Sequence, residues 1–104
     1  MKLLILNGPN LNLLGSREPA IYGSESYDAL CQQIQRHAAA IGCTAALLQS
    51  NHEGALIDAI QEAQGVYGGI VINPGAYAHY SYAIYDALRA VDVPAVEVHI
   101  SDIT

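Results

Sequence analysis

The chain has 104 residues, 52% of them hydrophobic, with 4 basic against 10 acidic side chains and a net charge of −6. That charge argues against nucleic acid, which needs a basic face, and no apolar stretch nears the ~20 residues of a bilayer span. The basic-then-apolar order of a signal peptide is missing too, so the expectation is a cytoplasmic protein without a membrane partner.

Residues 1–104 read as one domain, with no linker, repeat or low-complexity tract. Such a domain buries roughly 65% of its unfolded surface. Leu3-Leu4-Ile5-Leu6 reads as the middle of a buried first strand, Lys2 to Asn7. From Asn7 to Gly23 the chain then keeps no helical or alternating pattern. Loops beyond about 12–15 residues are uncommon in compact domains and are often lids or binding loops. Leu11, Leu13, Leu14 and Ile21 are too apolar to stay in water, and Gly8, Gly15, Gly23, Pro9 and Pro19 supply bends. This segment holds one cation, Arg17, and one phenol, Tyr22, and reads as a lid over chemistry.

Ser26 is placed to cap a first helix whose stripe is Tyr27, Leu30, Cys31, Ile34, Ala38 and Ile41, with Gly42 at the C′ position. Thr44 to Gln49 is the second strand. Asn51 stands where a cap belongs, ahead of a second helix with Leu56, Ile57, Ile60 and Ala63 on one face. Ile70 to Asn73 is the third strand, stopped by Pro74-Gly75. A third helix runs from about Tyr80 to Ala90, burying Ala83, Ile84, Ala87 and Leu88, and Ala95 to Ile100 is the fourth strand. Strands alternating with helices imply right-handed crossovers and a parallel sheet. The fold class is α/β, an open sandwich with a parallel sheet.

In such sheets the loops after the strands share one edge, where ligands bind. That edge collects Asn10, Arg17 and Tyr22 after the first strand and Asn73, Gly75, Ala76 and His79 after the third. The fourth strand adds His99, Ile100 and Ser101. Glu97 and His99 share a strand face, and a carboxylate beside an imidazole fixes its tautomer and raises its basicity; the plainer alternative is a structural pair at a strand end. Tyr22 is a useful base only if a cation such as Arg17 stabilises its phenolate, or else its ring packs over the lid. Asn10 and Asn73 also suit Asx turns, His79 could cap the third helix, and Ser101 could be a turn hydroxyl.

Cys31, Cys43, His37 and His52 form no ligand spacing, so no metal is expected and the cysteines read as reduced apolar residues. There is neither a Gly-x-Ser-x-Gly elbow nor a dinucleotide or phosphate-loop motif. A flavin or phosphoacceptor domain lacks its acidic cluster after the first strand. Acid–base chemistry without a cofactor is what these residues support.

Four blocks then carry a resemblance: residues 7–23, Gln49-Ser-Asn-His-Glu-Gly54, Ile72-Asn-Pro-Gly-Ala-Tyr77 with His79, and Glu97-Val-His-Ile-Ser101. In this order and spacing the chain resembles the type II 3-dehydroquinate dehydratases. The resemblance implies a flavodoxin-like three-layer sandwich of strand order 2-1-3-4, and a shikimate-pathway hydro-lyase making 3-dehydroshikimate from 3-dehydroquinate by anti elimination through an enolate. It implies Tyr22 as base, Arg17 as the cation that lowers its pKa, His99 as acid, Glu97 orienting it, and Asn10 at the enolate oxygen. Asn73, Gly75, Ala76 and His79 would bind the ring, Ile100 and Ser101 the carboxylate. Asp86 would reach a neighbouring subunit of a trimer-based dodecamer.

The departures are also expectations. The family's chains continue into a His-x-Arg-Glu-x-x-Arg stretch, a fifth strand and a helix, so this chain reads as C-terminally shortened. Tyr85 stands where arginine is frequent, and Asp102 where asparagine is usual. Without a fifth strand, the fourth would expose unpaired backbone groups and invite pairing along that edge. The competing function is a catalytically impaired relative serving as an oligomeric or binding module.

Overall fold

A computed structural model describes residues 1–15, 26–79 and 81–99. Four strands, β1 (Lys2–Asn7), β2 (Thr44–Gln49), β3 (Gly69–Asn73) and β4 (Ala95–Glu97), pair in parallel in the order β2-β1-β3-β4. The helices are α1 (Tyr27–Ala40), α2 (Glu53–Glu62) and α3 (Tyr82–Ala90), and short 3₁₀ turns span Leu11–Leu13 and Gly75–His79. This is the expected three-layer α/β flavodoxin-like arrangement.

Alternation along the strands builds the layers. Leu4, Leu6, Ile70 and Ile72 face one way and join Leu56, Ile60 and Ala63 of the α2 segment, Ile84 and Ala87 of α3, and Val93 in the main core. Leu3, Ile5 and Val71 face the other way, towards α1. Central strands apolar on both faces explain why β1 and β3 read as unbroken runs. Fully burying a Leu or Ile side chain is worth roughly 1.5–3 kcal/mol, and Leu6, Leu56, Ile60, Ile70, Ile72 and Ile84 each reach that state.

The ends of α1 follow the sequence. Ser26 Oγ accepts from the Ala29 N–H at 3.1 Å. Gly42, at φ 78°, donates to the Ala39 carbonyl while Cys43 donates to that of Ala38. That is a Schellman closure, and a side chain at Gly42 would be strained there.

Four expectations need correction. The α1 stripe is only partly covered, because among the described residues α1 is the one helix on its face of the sheet: Ala38 is buried, Tyr27, Leu30, Cys31 and Ile34 are half-buried, and Ile41 is 60% exposed. Between α1 and the sheet an open groove of about 590 Å³ has Leu3, Ile5, Val71 and Val98 along its floor. Second, Asn51 does not cap α2; His52 holds that position without a side-chain bond, since the Asn51 carboxamide oxygen is taken by Asn10 and Gln49. Third, α3 starts at Tyr82 with Ser81 as its cap, Oγ accepting from Ile84 N–H at 3.2 Å. Its Ala83 is exposed and Leu88 half-buried rather than core.

Fourth, β4 ends at Glu97, so Val98 and His99 lie outside the strand, while Ile100 lies outside the described residues. The Val98 N–H still reaches the Ile72 carbonyl at 2.8 Å. The Asn73 carbonyl accepts from Gly8, and the Pro74 carbonyl accepts from Tyr77 inside the following turn. As expected, β4 lies at a sheet edge with Ala95, Val96 and Glu97 all exposed.

Candidate active site

Parallel pairing brings the carboxyl ends of all four strands to one edge, and the order reverses between β1 and β3. Ligands of open α/β sheets bind at that switch. Asn7 lies in register with Gln49 on one side and Asn73 on the other. The apolar strands thus finish in a row of three carboxamides.

The two loops at the switch touch. Gly8 N–H donates to the Asn73 carbonyl at 2.7 Å. A Cβ on Gly8 would stand 2.5 Å from the Pro74 carbonyl oxygen, so this crossing of backbones needs a residue without a side chain. Gly75 is left-handed at φ 59°, a Cβ there would stand 3.2 Å from the Pro9 carbonyl oxygen, and its N–H donates to Asn73 Oδ1 at 3.2 Å. The Asx-turn alternative therefore holds for the Asn73 oxygen.

Asn10 differs. It sits in the left-handed region at φ 70°, caps nothing with its side chain, and is exposed beside the switch. Its N–H is anchored to Asn51 Oδ1 at 2.9 Å. Gln49 Nε2 donates to both Gly8 O and Asn51 Oδ1 at 3.1 Å, and Tyr77 Oη donates to the Asn51 carbonyl at 2.9 Å. Gln49, Asn51 and Tyr77 so tie three strand-end loops together. Sequence reading gave Asn51 only a capping role and Gln49 and Tyr77 none; the signal for Gln49 and Asn51 was their place as polar residues at and just past the end of an apolar strand.

At the end of β4, His99 Nε2 lies 3.0 Å from Glu97 Oε2, with the imidazole 22% and the carboxylate 36% exposed. Sequence reading anticipated this pair. It did not anticipate Tyr85 of α3, whose hydroxyl donates to the other oxygen, Glu97 Oε1. That bond, ahead of the contribution of His99, holds the Glu97 carboxyl below the usual carboxylate range, and the same carboxylate pushes the Tyr85 phenol up to about 12. Glu97 is thus an ionised carboxylate facing an imidazole, an arrangement suited to proton transfer.

His79 ends the 3₁₀ turn after β3 and is exposed, and since Ser81 caps α3 the capping alternative for His79 falls away. Ala76 is exposed on the same turn. Asp86 is exposed on α3, about 100° round the helix from Tyr85. Arg17, Tyr22, Ile100, Ser101 and Asp102 lie outside the described residues. Among the described residues no group of three His, Cys, Asp or Glu side chains could hold a metal ion, and no helix is long and apolar enough to cross a membrane.

Asn10, Asn73, His79 and the Glu97–His99 pair meet at one sheet edge, and a protein-family comparison gives that edge its context. The model for dehydroquinase class II matches residues 1–104. The chain belongs to this family. It is 54% identical over 101 residues to a catabolic 3-dehydroquinase of Aspergillus clavatus, covering 97% of this chain and 67% of the relative. A 3-dehydroquinate dehydratase of Lachnospira eligens is 55% identical over 105 residues, covering 99% and 71%. The crystal structure of the type II dehydroquinase from Butyrivibrio crossotus superposes with a TM-score of 0.96 at 54% identity, covering 99% of this chain and 72% of that one. This class II dehydroquinase chain therefore spans about two thirds to seven tenths of the length of these relatives.

Proposed function

We propose that this chain is a hydro-lyase that dehydrates 3-dehydroquinate to 3-dehydroshikimate by anti elimination. The single observation that carries the reading is the Glu97–His99 pair, at 3.0 Å, on the sheet edge that also bears Asn10 and Asn73. Tyr22, as phenolate, takes the C2 proton, and the C–H electron pair moves into an enolate. Arg17 lowers the phenol pKa by favouring its charged form. Asn10 holds the enolate oxygen through a water, which its exposed carboxamide permits.

In the second step the enolate collapses, the carbon–oxygen bond breaks, and the hydroxyl leaves as water with a proton from His99. Glu97 faces that imidazole at 3.0 Å and orients it. Asn73, Gly75, Ala76 and His79 contact the ring, and Ile100 N–H with the Ser101 hydroxyl takes the carboxylate. Such local donors are what a chain of net charge −6 needs to bind an anion. Asp86, exposed on α3, reaches a neighbouring subunit of a trimer-based dodecamer.

The test is the ultraviolet absorbance of the conjugated enone when 3-dehydroquinate is added to the purified chain. Enone formation that is lost in His99→Ala supports the reading. A chain that binds 3-dehydroquinate without forming enone would instead be an impaired relative acting as a binding module.

A further inference from the structure

We propose that Tyr85 is a positioning residue for His99, acting through Glu97. The inference rests on the acid role given to His99 above. Glu97 ends a three-residue strand that, among the described residues, has a neighbour on one side, and its side chain is 36% exposed. A glutamate so placed has several open rotamers, and holding it in one costs conformational entropy. Some second contact must select the rotamer that faces His99.

Tyr85 supplies that contact from a well-seated base. On either side of it, Ile84 and Ala87 anchor α3 in the core at 1% and 6% exposure. A tyrosine has only two side-chain torsions to order, so its hydroxyl is placed at low entropic cost. It donates to Oε1 and leaves Oε2 for His99. Each carboxylate oxygen thus has its own partner, one on α3 and one past the end of β4. The titrating groups acting on Glu97 are these two, the phenol from α3 and the imidazole just past the end of β4.

The chemistry of the tether matters. A phenol is a neutral donor over the whole physiological range, so it fixes the carboxylate without cancelling its charge. A guanidinium in the same place would compete with the imidazole for that charge. A neutral imidazole that faces a carboxylate through Nε2 carries its proton there, which leaves Nδ1 to exchange a proton with substrate.

The experiment is Tyr85→Phe in this 104-residue chain, read by nitrogen NMR of the His99 imidazole and by steady-state dehydration. The parent should show one dominant neutral tautomer, protonated at Nε2, and the variant a mixture of both. Turnover should fall roughly ten-fold with KM within about two-fold, the scale typical of an outer partner of a functional histidine. In a Glu97→Gln background the Tyr85→Phe change should add nothing, because its effect runs through that carboxylate. An unchanged tautomer balance in Tyr85→Phe, or equal losses in both backgrounds, overturns the proposal. If the parent forms no enone at all, the dehydratase reading fails separately, and the imidazole spectra alone then decide the role of Tyr85.

Discussion

Tyr85 and Glu97 are joined across the contact between α3 and β4, phenol hydroxyl to carboxylate oxygen, while the other oxygen of Glu97 meets His99 at 3.0 Å. The bond favours the neutral phenol and the charged carboxylate together, so the two groups depart from their ordinary values in opposite directions.

Their pH dependence follows with opposite signs. The Tyr85 phenol, raised from 10.0 to about 12, contributes stability that is complete below its unfolded value and lost as pH rises through about 12. Glu97, held below the carboxylate range, contributes stability present above its unfolded value and lost as pH falls through the lower folded one. Phenolate absorbance should show two tyrosines titrating late, Tyr27, which burial pushes up to about 12, and Tyr85, and Glu97→Gln should return only the second towards 10. Two late tyrosines still present after that substitution would contradict the assignment.

Tyr22→Phe removes one oxygen and, with it, the proposed base. Turnover should fall by roughly 10²–10⁴-fold, the contribution of a positioned general base, with little change in thermal midpoint. Arg17→Ala should move the limb of the pH–rate profile set by the Tyr22 phenol to higher pH, since the phenolate loses its cation. Near-parental turnover in Tyr22→Phe would exclude this residue as the base.

Gly8→Ala tests the crossing of the β1 and β3 loops. The new methyl would lie 2.5 Å from the Pro74 carbonyl oxygen, and backbone cannot yield as a flexible side chain does. A loss of about 1–3 kcal/mol is expected, and turnover should fall as well because Asn10 and Asn73 flank the clash. Denaturant midpoints and the enone assay read both.

Leu56→Ala probes the main core, where the leucine is 0% exposed between α2 and the sheet. The expected cost is about 2–5 kcal/mol, measured by equilibrium unfolding. A similar substitution at Ile41, 60% exposed at the end of α1, should stay within about 0.5 kcal/mol of the parent.

What the residues announced by themselves was everything with a local cause. Unbroken apolar runs at Leu3–Leu6 and Ile70–Ile72 marked strands buried on two faces; Ser26 and Gly42 marked the ends of α1. The alternation of strand and helix settled the parallel order, and the Glu97–His99 pair was visible because a strand puts residues two apart on one face. Only the tertiary structure decided how far α1 is covered, where β4 stops, and which partner Asn51 takes. Those outcomes depend on which face has a second helix and on which distant donors reach one side-chain oxygen. The contact of Tyr85 with Glu97 belongs to the same class: twelve residues separate the two, and no spacing rule joins a helix residue to a strand residue until the register of β3 with β4 has brought them together.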